Sequence, residues 1–186
     1  YDEFYTLVVT RPGAPFSELF ARHWLADNHP PLFYGLAWAS NWLGETVQPR
    51  RLLNFVFAAW AAAMFVRLAW RHPERRVLVA CYGLGLASCL PAILYAAELR
   101  SNYLALASSS AAIAVLALTA APISPGRRSD TVGLFLALLI AFNVHFVTTV
   151  LVGAIVLAFV ARLTLAREQA AALRLVFVAV IAACSR

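Results

Sequence analysis

The sequence contains no lysine: all 15 of its basic residues are arginines. They fall in short clusters between apolar runs, as the topology determinants of membrane proteins do. Nothing interleaves them with aromatics into the basic groove that a single strand of nucleic acid requires, so the formal charge of +6 does not point to a nucleic-acid partner. Charge of either sign is scarce, at 13% of residues, against about a quarter in soluble domains. That shortage excludes an ordinary soluble domain. The three cysteines are odd in number, form no CxxC and lie inside apolar runs, which argues against a disulfide framework or a zinc site. Residues 1–29 are not basic and then apolar, so they do not read as a secretory signal.

What is abundant is apolar sequence. Hydrophobic residues make up 62% of the chain and mean hydropathy is +0.76. Runs of roughly 20 apolar residues, the length that crosses a bilayer, recur. The expected architecture is an all-α, polytopic integral membrane protein. Residues 1–49 are expected as an external loop. Within it, "HPPLFYGLAWASNWLG" at 29–44 predicts an interfacial helix over about 30–44, because it is short and rich in tryptophan. Spans are expected at about 51–70, 77–97, 104–121, 131–142, 146–163 and 175–186, in a single domain. The apolar run that approaches Arg186, and an orientation that needs an upstream crossing, lead us to expect a longer polypeptide.

Alternate loops carry Arg67, Arg71, Arg75 and Arg76, then Arg127 and Arg128, then Arg162, Arg167 and Arg174. The positive-inside rule makes these loops cytoplasmic. The opposite side takes residues 1–49, 98–103 and 143–145. It holds Asp2, Glu3, Glu18, Asp27, Glu45 and Glu98, six of the nine acids.

Three polar groups gather on that outer side: "YDEFYT" at 1–6, "DNHPPLFY" at 27–34 and "YAAELRSNY" at 95–103. Ionisable residues near membrane depth point to function. Asp2–Glu3 reads either as a solvated pair or as a general base acting on an acceptor hydroxyl or amine. Arg50, Arg51 and Arg100 have the planar fork that clamps a phosphate. Glu98 with Arg100 reads equally as a neutralising pair at a helical turn. His145 reads as a structural hydrogen-bonding group at an outer turn, and Ser108–Ser110 as a site of close helix packing. His23, Asp27 and His29 have no recognised metal-ligand spacing. No cofactor is called for, and nothing indicates a divalent cation.

The order of "YDEFYT", "DNHPPLFYGLAW", "RRLLNFVF", "LYAAELRSNYLAL" and "NVHFVTTVLVGAIVLAF" resembles the N-terminal half of the GT-C membrane glycosyltransferases, in their protein-mannosyltransferase-like and aminoarabinose-transferase-like branch. Asn102 stands where that family often has methionine, and Phe146 where it often has tyrosine. The resemblance implies a GT-C-type helix bundle that moves a sugar from a polyprenyl-phosphate donor to a glycan, lipid or protein acceptor. It further implies a bacterial inner membrane, with the active site facing the periplasm. Asp2 would be the catalytic base with Glu3 beside it. His29, Tyr34, Arg50, Arg51, Glu98, Arg100, Tyr103 and His145 would contact substrate. Two other readings stay open. One is a transporter built on a buried Glu98–Arg100 pair, although no internal repeat of the transporter kind occurs; the other is a non-catalytic membrane subunit.

Overall fold

The computed structural model describes residues 2–27, 30–118 and 128–185, and the side chains of Asp2 and residues 128–130 lie outside that description. Among the described residues the chain is mostly helical, with no strand. The segment expected as an external loop is itself folded. It begins with α1, Asp2–Val9, whose acidic start suits the positive end of a helix dipole. Pro12 and Gly13 follow, and Gly13 turns the chain at φ +81. Next come α2, Phe16–Leu19, and a π turn over Phe20–Trp24.

The segment expected as an interfacial helix over 30–44 holds α3, Leu32–Ala39, entered from Pro31 and continued by a 3-10 turn over Ser40–Leu43. At 1.5 Å per residue its eight residues cover about 12 Å, far short of a bilayer's ~30 Å. Gly44, at φ +147, then packs so closely that a Cβ would sit 2.7 Å from Pro49 Cγ. The chain turns there into α4, Val47–Arg50.

Among the described residues, three helices are long and apolar enough to cross a membrane. The first is α5, Leu53–Arg71, which with α4 forms an apolar segment of 25 residues. The second and third are α8, Ser101–Leu118, and α10, Phe146–Leu165. The sequence predicts one straight span over 77–97. The structure breaks it into α6, Arg76–Ser88, and α7, Leu90–Ala96, bent by 57°. Cys89 is extended at the break, and Pro91 lies in the first turn of α7, where its missing N–H costs little. As one bent span the pair brings the number of candidate crossings to four. The apolar parts of α9, Arg128–Val144, and α11, Gln169–Cys184, are shorter.

The expected loop over 162–174 is mostly helix. Only Ala166–Glu168 separates α10 from α11, with Arg167 in the left-handed region at φ 62. Its charges decorate helix ends, where "QAAALR" consists of strong helix formers.

The most extensive packing is α8 on α9. Alanines and Ser108–Ser110 crowd α8, and Ser108 and Ser109 donate back to the Ala105 carbonyl, so small side chains let the helices approach closely. Two hydrophobic cores result. One joins α5, α6 and α8–α11. The other lies at the outer end, where Trp24, Phe33, Tyr34 and Ala37 pack on Phe57, Leu99, Leu104 and Val144. Large apolar side chains such as Phe55, Trp70, Leu84, Leu157 and Phe177 face outward, as a lipid-facing surface requires.

Candidate functional site

The outer core holds up a cavity of about 180 Å³ lined by Tyr5, Thr6, Asp27, Phe33, Tyr34, Arg100 and Ser101. Tyr5 and Thr6 come from α1 and Phe33 and Tyr34 from α3. Asp27 precedes α3, while Arg100 and Ser101 stand at the start of α8. Residues from all three outer polar segments therefore share one space. Tyr34 Oη donates a hydrogen bond to Asp27 Oδ2. Its ring meets Tyr5 edge to face, with centroids 6.3 Å apart. Burial, and then the Asp27 carboxylate, push the Tyr34 phenol well above the ordinary tyrosine range. Burial raises Tyr5 too, with the Asp27 charge adding to it. Both phenols thus remain proton donors. The cavity presents them with a carboxylate and a guanidinium, groups that together grip a polar, hydroxylated or anionic ligand.

Glu3 faces a different task. Its carboxylate accepts from Arg51 Nε at 3.0 Å and Arg51 Nη2 at 2.7 Å, and from the Leu99 N–H at 2.6 Å. The Arg51 guanidinium, helped by the Leu99 amide and opposed by burial, holds the Glu3 carboxyl below its ordinary value. A carboxylate so occupied is a poor proton acceptor. Glu3 and Arg51 tie the start of α1 to α5 and to the turn before α8.

That turn has a second fastening which the sequence reading missed. Asn54 is buried, and its Nδ2 donates to the carbonyls of Tyr95, Ala96 and Glu98 at 3.4, 3.0 and 2.6 Å. It adds a side-chain donor to the turn that ends α7, where the Tyr95 and Glu98 carbonyls also accept from the Glu98 and Arg100 N–H groups. Glu98 and Arg100 approach to 3.9 Å, each side chain more than a third exposed.

The remaining expected residues are dispersed. Arg50 is wholly buried away from the cavity. Tyr103 borders a separate, mostly apolar cleft of about 230 Å³ between α5, α6, α7 and α8. His145 caps α10, its Nδ1 accepting from the Val147 N–H at 3.2 Å. His29 and the Asp2 side chain lie outside the described residues. Among the described residues, no three His, Cys, Asp or Glu side chains come together as metal ligands would.

Tyr5, Thr6, Asp27, Phe33 and Ser101 enter the site although the sequence reading gave them no role in it. The available signal was adjacency, since each lies within one of the three outer polar segments. Composition and fold define a class: among the described residues, an all-α protein with helices long and apolar enough to cross a membrane. Comparison with protein-family models, with curated proteins and with solved structures finds no match.

Proposed function

We propose that the chain is the N-terminal half of a GT-C-type glycosyltransferase in a bacterial inner membrane, with its outer cavity open to the periplasm. The observation that carries this reading is the convergence of "YDEFYT", "DNHPPLFY" and "ELRSNY" on one cavity. The same segments carry the sequence resemblance. In this reading the helices from α5 onward cross the bilayer six times, with the bent α6–α7 as one crossing.

The reaction is a single displacement. Asp2, at the first position of α1 and one turn before the cavity residue Thr6, takes the proton from an acceptor hydroxyl or amine. The freed lone pair attacks the anomeric carbon of a polyprenyl-phosphate sugar as the carbon–oxygen bond to phosphate breaks. The polyprenyl phosphate leaves, its charge met by Arg100, and the anomeric configuration inverts. Asp27, Tyr34 and Tyr5 would hold sugar or acceptor hydroxyls. The rival transporter reading needs a buried coupling pair, and Glu98 and Arg100, though 3.9 Å apart, are each more than a third exposed.

Asp2→Asn tests the proposal, because asparagine keeps the shape and cannot take a proton. With a polyprenyl-phosphate sugar donor, turnover should fall by roughly two to four orders of magnitude, while donor binding persists. Wild-type turnover in Asp2→Asn would exclude the assignment.

A further inference from the structure

We infer that Arg50 is a positioning residue, joining the C-terminal ends of α1 and α3 and thereby setting the two walls of the outer cavity. The side chain is 0% exposed. A single nitrogen, Nη2, donates both to Thr10 Oγ1 and to the Ala37 carbonyl, each at 2.6 Å. Thr10 Oγ1 donates onward to the Thr6 carbonyl at 2.6 Å, and Thr6 lines the cavity. Ala37 lies one turn beyond Phe33 and Tyr34, the cavity residues of α3. The guanidinium therefore reaches one wall through Thr10 and the other through Ala37.

The charge is met in an unusual way. No carboxylate pairs with Arg50 among the described residues, and Nε and Nη1 have no hydrogen-bond partner. Burying a cation without an acid is costly. What faces Arg50 instead is the negative end of two helices, where carbonyls and helix dipoles favour a cation. Trp24 Nε1 donates to the Val9 carbonyl at 2.6 Å and Asn41 Nδ2 to the Thr10 carbonyl at 3.0 Å. The end of α1 is thus held from three directions, and of the three side chains Arg50 is the one that also hydrogen-bonds a carbonyl of α3.

The alternative is that Arg50 clamps a ligand phosphate, as its place beside Arg51 in the sequence leads one to expect. The two roles separate on a conservative change. One nitrogen makes both bonds, so a lysine ammonium can replace it in the positioning role, whereas a bidentate phosphate clamp needs the fork. The inference also stands apart from the glycosyltransferase reading, because its test requires no donor.

The test follows the Tyr34 phenol by tyrosinate absorbance in the full chain in lipid nanodiscs, with the signal of the Tyr34→Phe variant subtracted. In the wild type, Tyr34 should remain protonated at about pH 11, above the ordinary phenol value near 10. Arg50→Leu and Thr10→Val should each lower its midpoint by at least about one pH unit, because the cavity walls part and water reaches the phenol. Helical circular dichroism should stay unchanged, and Arg50→Lys should titrate like wild type. An unshifted Tyr34 in Thr10→Val overturns the inference, even if Arg50→Leu fails to fold. So does an Arg50→Lys protein that titrates like Arg50→Leu.

Discussion

Arg50 and Arg51 are neighbours with identical side chains and opposite fates. Successive residues of a helix point about 100° apart, so one guanidinium runs out to Glu3 and the other into the outer core. A sequence states that two arginines are adjacent; which of them faces the core depends on helices that dock from elsewhere. Asn54 was illegible for a related reason, since its partners are carbonyls 41 to 44 residues away. Glu3 makes a prediction at this scale. Its folded-state pKa is depressed below the ordinary 4.5, so the stability it contributes is present above that value and is lost as pH falls through the folded pKa. Glu3→Gln should destabilise the protein by about 1.5–3 kcal/mol near neutrality, the range for hydrogen bonds to charged groups. The gap between the two melting curves should narrow between neutral pH and a pH below the folded pKa of Glu3. An equal gap at both pH values would contradict this account.

At the scale of elements, long apolar runs with strong helix formers were readable, and α5, α8 and α10 fall where their runs predict. The α6–α7 bend was not, although Pro91 stands in plain view, because a proline in an apolar run either kinks a helix or opens one. The short helix α3 was legible from the apolar run that follows Pro30 and Pro31. The helical character of residues 2–9 and 16–24 was not, because a dense set of charges and prolines looks like a loop whether or not tertiary contacts order it. The bend is held at its far end by Asn54. Asn54→Ala should cost about 0.5–1.5 kcal/mol, the net contribution of a hydrogen bond, because the Tyr95 and Glu98 carbonyls keep a backbone donor. It should also raise amide exchange over Ala97–Arg100 well above that of α8. Unchanged exchange in that turn would show that the end of α7 is held by other means.

For the whole molecule, the alternation of arginine clusters with acidic segments predicts which end faces which compartment. The two-core construction agrees with it, because the acid-rich segments gather around one core and Arg71, Arg75 and Arg76 at the other. Glu45 and Glu74 are both exposed and lie at opposite ends of the α4–α5 segment. In a chain whose own cysteines have been replaced, Glu45→Cys should label from outside the cell and Glu74→Cys only after the membrane is opened. Labelling of both from one side would break the topology.

The bond between the Glu3 carboxylate and the Leu99 amide spans 96 positions of chain. A ribosome delivers Glu3 first and Leu99 only after α5, α6 and α7 have been made. Closing so long a loop carries an entropic cost that must be met before its contacts form. The first helix of the sequence is therefore among the last pieces to reach its place. Until then the acidic pair and its aromatic neighbours stay apart from Leu99 and Arg100, and the cavity exists only as separate halves. Assembly of the site is thereby coupled to completion of α5 through α7, so a chain stalled before residue 99 carries the groups of the site without the site.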